Sequence, residues 1–206
     1  MTANVSQSFH GQAGGLSPGG WALGLGVAAG LLLAGALPES WQALLGYRRV
    51  AVIEGLQGWR LLTAQSLHLG RPHLLLNLAG WALLCMLLMP AVSTRTLSIV
   101  LAGSVTGTAA GLLLTPEVAW YVGFSGALHG VLGGGAVVLL RSRRGLAMGL
   151  LLGLASKLAW DVVSGGGGGG LPAGARVVVE AHLWGSAGGL LAGVLHQLFT
   201  RRPRCV

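Results

Sequence analysis

A chain of 206 residues that is 53% hydrophobic and 9% charged, with a mean hydropathy of +0.72, has too little polar surface to cover a soluble globule. Its net charge of +8 would suit nucleic acid, but the arginines stand at the ends of apolar runs, where orientation in an anionic membrane explains them better. Cys85 lies inside an apolar run and Cys205 in the tail, which leaves no disulfide framework and no metal-type cysteine pair.

Residues 1–20 are polar and glycine-containing and read as a flexible cytoplasmic tail; they carry no Lys or Arg, so no cleavable signal peptide is expected. Six apolar runs follow, in one membrane domain over 21–199. The first runs from Trp21 to Leu37 and stops at Pro38, which disfavours helix at the residue before it. Residues 39–72 mix Arg48, Arg49, Arg60 and Arg71 with apolar side chains, a pattern suited to a segment half buried in the membrane interface. The next spans are His73–Met89, Leu97–Leu114, Phe124–Leu140, Gly145–Val163 and Ala181–Phe199. Between the last two, Ser164 to Gly174 contains six consecutive glycines, expected to be mobile as a plain linker or as a hinge for the fifth helix. Residues 200–206 form a basic tail. With the N-terminus inside, the inner connections hold Arg95, Arg141, Arg143, Arg144, Arg201, Arg202 and Arg204, whereas the short outer loops hold only Arg176.

In that topology the second, fourth and sixth helices enter from the outer face. Their first turns hold His73 and Asn77, Ser125 and His129, and His182, while Lys157 and Asp161 end the fifth helix on the same side. Intramembrane polar groups are costly and normally face a bundle interior or wet cavity, so a shared layer is a functional-site hypothesis. Singly, each His or Asn also fits a role as helix-to-helix glue. The pairs 73/77, 125/129 and 157/161 each project from one helix face. Lys157 and Asp161 read first as an ion pair that neutralises both charges; Asp161 orienting His182 is an option that spacing does not support.

Acyl transfer needs a nucleophile, a base for its proton and donors for the oxyanion. Ser125, between Gly123 and Gly126, is the hydroxyl of the layer that a substrate backbone can approach. It does not fit the soluble G-x-S-x-G elbow, because position 127 is Ala. His182 is the candidate base, with the free N–H groups of the fourth helix, His73 and Asn77 as donors. Gly185, Ser186, Ala187, Gly188 and Gly189 after it would let the fourth and sixth helices approach closely.

These residues resemble the rhomboid family of intramembrane serine proteases. Trp59-Arg60 is similar to the family's W-R, His73 to Asn77 to its H-x-x-x-N, Gly123-Phe-Ser-Gly126 to its G-x-S-G, and Ala181-His182 with Gly185 and Gly189 to its A-H-x-x-G-x-x-x-G. The resemblance covers about 21–199 and implies an all-α membrane protein, a six-transmembrane-helix rhomboid-like bundle with a Ser125–His182 dyad. It also implies oxyanion help from His73 and Asn77, no cofactor, and cleavage of a membrane-anchored protein near the outer face. The family often has Tyr where this chain has His129, which leaves that residue's stacking on the catalytic histidine open. S-G-A-L-H-G at 125–130, the compact length, and Lys157 to Asp161 resemble the rhombosortase branch, linked to bacterial proteins that end in a Gly-Gly motif, a hydrophobic helix and a basic tail. That likeness implies a substrate with a C-terminal transmembrane helix, cut at the periplasmic side of the inner membrane, with the bilayer and no nucleic acid as partner. Two other readings stand beside it: a non-catalytic rhomboid-like binder of membrane segments, and a metal- or proton-handling protein built on His73, His129, His182 and Asp161.

Overall fold

The computed structural model describes residues 17–167 and 176–200. Helix α1 starts at Pro18 because Ser17 caps it, its hydroxyl accepting the Gly20 N–H (3.1 Å) with proline in the first turn. The helix thus begins inside what the sequence assigns to the tail, whose first sixteen residues lie outside the described ones, as do most of the glycine linker (168–175) and residues 201–206.

The main helices follow the expected runs closely. They are α1 (Pro18–Gly35), α5 (Gly70–Leu88), α6 (Thr94–Leu114), α7 (Ser125–Leu139), α8 (Arg144–Val163) and α9 (Val179–Phe199). Four of them, α1, α5, α6 and α8, are long and apolar enough to cross a membrane. At 15 residues, α7 reaches only about 22 Å, short of a hydrocarbon core of about 30 Å. Helix α9 has 21 residues, but Glu180, His182 and His196 lower its hydropathy.

The long connection is not a free loop. It folds into α2 (Glu39–Leu45), strand β1 (Tyr47–Arg48), α3 (Arg49–Ile53), α4 (Arg60–Thr63) and a 3-10 turn at Ala64–Ser66. Arg60 is buried at its centre, donating from Nη1 to the Ala43 and Gly46 carbonyls (2.9 and 2.6 Å) and from Nε to Gln57 (2.6 Å). Trp41, Leu44, Val50, Ile53, Leu56 and Leu62 point outward instead. A backbone tied inward by polar bonds and apolar outside fits the expected interfacial segment. Strand β1 pairs antiparallel with β2 (Trp120–Tyr121), setting Tyr47 opposite Tyr121.

Helices α6, α7 and α9 pack mutually, while α1 leans on α5 and α8 on α7. The α7–α9 seam is glycine against glycine. A Cβ at Gly185 would overlap the Gly126 carbonyl, one at Gly189 the Gly130 carbonyl, and one at Gly193 would lie 2.6 Å from the Gly134 carbonyl. Three successive turns of each helix therefore meet backbone to backbone, as close as helices can come. Trp81, 2% exposed, donates its indole N–H to the Gly24 carbonyl (2.9 Å) and meets Phe124 edge-on, joining α1, α5 and the start of α7.

Candidate active site

The turn that precedes α7 is held at both polar groups of one residue. Gly123 adopts φ +140°, a region that side-chain-bearing residues rarely enter. Its N–H donates to the Ala64 carbonyl (3.1 Å), and its carbonyl accepts the Tyr121 hydroxyl (2.6 Å). Burial pushes the Tyr121 hydroxyl up from its usual pKa, so it stays a neutral donor. Ser125, the first residue of α7, is thereby aimed by a loop with little freedom to move.

The glycine seam sets α9 against α7 so that His182, in the first turn of α9, reaches Ser125. The Ser125 hydroxyl lies 2.9 Å from His182 Nε2, and His182 Nδ1 lies 2.8 Å from Asp161 Oδ2. A carboxylate only accepts, so Nδ1 carries the proton and Nε2 presents its lone pair to the serine O–H. The other oxygen of Asp161 accepts the Lys157 ammonium, which completes a chain from serine to lysine across three helices. Asp161 and His182 are each 3% exposed. This joins what the sequence left as alternatives: Asp161 is both the ion-pair partner of Lys157 and the acceptor on His182.

His129 stacks on His182, with ring centroids 3.9 Å apart and planes 17° apart, so histidine here occupies the stacking position. Its Nδ1–H donates to the Ser125 carbonyl (2.7 Å). His129, Asp161 and His182 offer ligand atoms within 4.8 Å of one another. Imidazole binds a metal in its ring plane, and the lone pairs of stacked rings run side by side without converging. The group suits stacking and proton handling better than ligation.

His73 Nδ1 accepts the Leu69 N–H (3.2 Å), which leaves the proton on Nε2. That Nε2–H edge lies close to Gly123, where a Cβ would fall 3.2 Å from it. His73 and Ser125 line a cavity of about 250 Å³ with Tyr121, Val122, Val177 and Val178, smaller than the usual ligand pocket of about 300–1,000 Å³. Asn77 is buried below it and is not among the cavity's lining residues; its amide donates to the His73 carbonyl (2.9 Å), so it supports the turn that carries His73. Gly126 meets α9, where a Cβ would come within 2.7 Å of both the Ala181 carbonyl and the Thr108 hydroxyl oxygen.

Sequence reasoning did not single out Tyr121, Ala64 or His68. His68 is 7% exposed, edge-on to His73 with ring centroids 5.1 Å apart, and among the described residues neither of its ring nitrogens meets a hydrogen-bond partner. Its position five residues before His73 was the available signal. A histidine in a polar stretch that precedes a span carries little weight by itself.

The arrangement has the parts of acyl-transfer chemistry: a hydroxyl on an oriented imidazole, a carboxylate behind it, and donors beside a small cavity. A family model described as the Rhomboid domain matches residues 55–198. No curated protein matches the chain.

Proposed function

The chain belongs to the rhomboid family of intramembrane serine proteases, and from that premise we propose that it is a catalytically active member in which Ser125 is the nucleophile and His182 its base. The observation that carries the reading is the 2.9 Å contact between the Ser125 hydroxyl and His182 Nε2 at the edge of the cavity. As Oγ attacks the scissile carbonyl carbon, its proton passes to Nε2. The carbonyl oxygen gains the negative charge and is met by the His73 Nε2–H and by first-turn N–H groups of α7 that have no partner within the helix. The proton then moves from Nε2 to the departing amide nitrogen, leaving an acyl ester on Ser125. Water, activated by the same imidazole, releases the new carboxyl end.

The substrate we propose is a membrane-anchored protein with a C-terminal transmembrane helix, cut near a Gly-Gly motif in the manner of the rhombosortases. The modest size of the cavity between Val122 and the Val177–Val178 segment supports this, since a glycine pair fits it without displacing any side chain. A glycine pair also leaves helix at little cost, about 1 kcal/mol per residue less stable than Ala. Helices α7 and α9 complete a six-helix bundle, the first sheltered by its neighbours. The active-site end faces the periplasm of a bacterial inner membrane, and the arginines at 95, 141, 143 and 144, at the opposite end of the bundle, support that orientation.

Labelling of membranes by a fluorophosphonate probe tests the reading without a known substrate. Wild-type protein is expected to label, and Ser125→Ala and His182→Ala to lose labelling entirely. A folded wild-type protein that does not label, or a Ser125→Ala variant that does, would overturn it.

A further inference from the structure

We infer that Asp161 and Lys157 act together as a positioning pair for His182, with the lysine fixing which face of the residue at 161 meets the imidazole; this rests on the serine protease reading above.

The argument begins with donors and acceptors. His182 has two ring nitrogens, and Ser125 can be deprotonated only by the one that carries no proton. The nitrogen facing Ser125 is Nε2, so the proton must stay on Nδ1, and an obligate acceptor there is what keeps it. Asp161 supplies that acceptor from a site that is 3% exposed, where water does not compete. When Nε2 takes the serine proton the ring becomes a cation, and the adjacent carboxylate stabilises it without itself accepting the proton.

Lys157 adds a constraint that the carboxylate alone lacks. Its ammonium has only donors and holds Oδ1 of Asp161 from one turn earlier on α8. Both carboxylate oxygens are thus committed, one to lysine and one to histidine. His129, stacked on one face of the ring, opposes its rotation. Helix α8 therefore contributes an oriented acceptor to a nucleophile and base carried by α7 and α9.

This makes an unusual prediction for an asparagine at 161. Its carbonyl oxygen must turn to Lys157, since an ammonium cannot accept, and its NH2 must then face His182 Nδ1. That selects the tautomer with the proton on Nε2, which cannot take a proton from Ser125. Removing the lysine lets the amide turn over and restores an acceptor to Nδ1. The damage of the first substitution should therefore be partly repaired by the second, which a merely structural ion pair would not do.

The experiment compares fluorophosphonate labelling rates in membranes for wild type, Lys157→Met, Asp161→Asn and the double variant, with the thermal midpoint of each in detergent as the measure of folding. Asp161→Asn is expected to label about 10³–10⁴-fold more slowly than wild type, the scale of a wrong tautomer, and the double variant at least about 10-fold faster than Asp161→Asn. Asp161→Asn labelling within about 3-fold of a labelling, Ser125-dependent wild type would overturn the inference and leave the protease reading intact. So would a folded double variant no faster than Asp161→Asn. If Asp161→Asn does not fold beside Lys157, the comparison of Lys157→Met with the double variant carries the test. A loss within about 50-fold is expected there, and one beyond about 10³-fold would overturn the orienting role of the lysine. Wild-type protein that fails to label at Ser125 would sink the protease reading, and this inference with it.

Discussion

Only glycine fits at position 123. Its φ of +140° already disfavours any side chain, and a Cβ would lie 3.0 Å from His73 Cε1, at the edge of the ring that faces the cavity. Gly123→Ala is expected to displace the His73 donor and slow labelling about 10²-fold or more, with an effect on stability of about 1–3 kcal/mol, read as a lowered thermal midpoint. His73→Ala should lose about 10²–10³-fold in turnover by the same route while leaving KM nearly unchanged, because an oxyanion donor acts in the transition state. His68 offers a pH test. Burial first, and then neighbouring His73, lower its pKa from 6.5 to about 4. The unfolded chain therefore takes up a proton between about pH 6.5 and 4 that the native state does not, and stability should fall by up to about 3 kcal/mol as the pH drops through that window. His68→Phe should flatten this fall, measured as the thermal midpoint against pH. The residues legible in the sequence were those on helix faces at regular spacing, such as Ser125, His129 and His182. Tyr121 and His68 were not, because a two-residue strand and a connecting segment have no period to betray them. The contact of Asp161 with His182 was hidden for another reason: it closes across 21 residues, and nothing in that spacing signals proximity.

At the scale of helices, the seam of α7 against α9 decides whether the two halves of the site meet. Gly189→Val would force its side chain into the Gly130 carbonyl, so the helices must part or unfold. A loss of more than about 3 kcal/mol in stability and the disappearance of labelling are expected together. Gly149 on α8 is the control, since a Cβ there meets nothing within 4 Å among the described residues. Gly149→Ala should be neutral or raise stability by up to about 1 kcal/mol, from helix propensity alone. Both can be read from thermal midpoints in detergent. Helix positions were legible because apolar runs of this length have few alternatives, and the observed ends fall within about three residues of the expected ones. The short helices of the long connection were not, because α3 and α4 are one turn each, too short to show amphipathic period. Strands β1 and β2 have two residues apiece, and their pairing joins Tyr47 to Tyr121 across the whole of α5 and α6.

For the molecule as a whole, the test is sidedness. With Cys85 and Cys205 replaced by Ser, Ser142→Cys in the turn between α7 and α8 is expected to react with an impermeant thiol reagent only from the cytoplasm. Glu117→Cys, at the site end between α6 and β2, is expected to react only from outside. The reverse pattern would invert the topology, and with it the side that the proposed site faces. The general class of the molecule was legible from composition because a chain this apolar has no soluble alternative. The choice of substrate was not, since the cavity is assembled from residues far apart in the chain, in β2, α5, α7 and the segment before α9.

The loosely packed face of α8 has a consequence for when the proposed site is complete. Gly145, Gly149 and Gly153 line one side of this helix and, among the described residues, no heavy atom lies within 4 Å of their would-be Cβ positions, whereas α7 and α9 are interlocked along three turns. Ser125 and His182 thus ride on an interlocked pair, whereas Asp161, the acceptor on His182 Nδ1, rides on α8, outside that seam. If substrate helices enter by pushing α8 aside, Asp161 leaves His182 at the moment of admission. Its return, as the wall closes on a seated chain, rearms the imidazole. The bundle would then work as an interlock, idle while open to the lipid and competent only when shut.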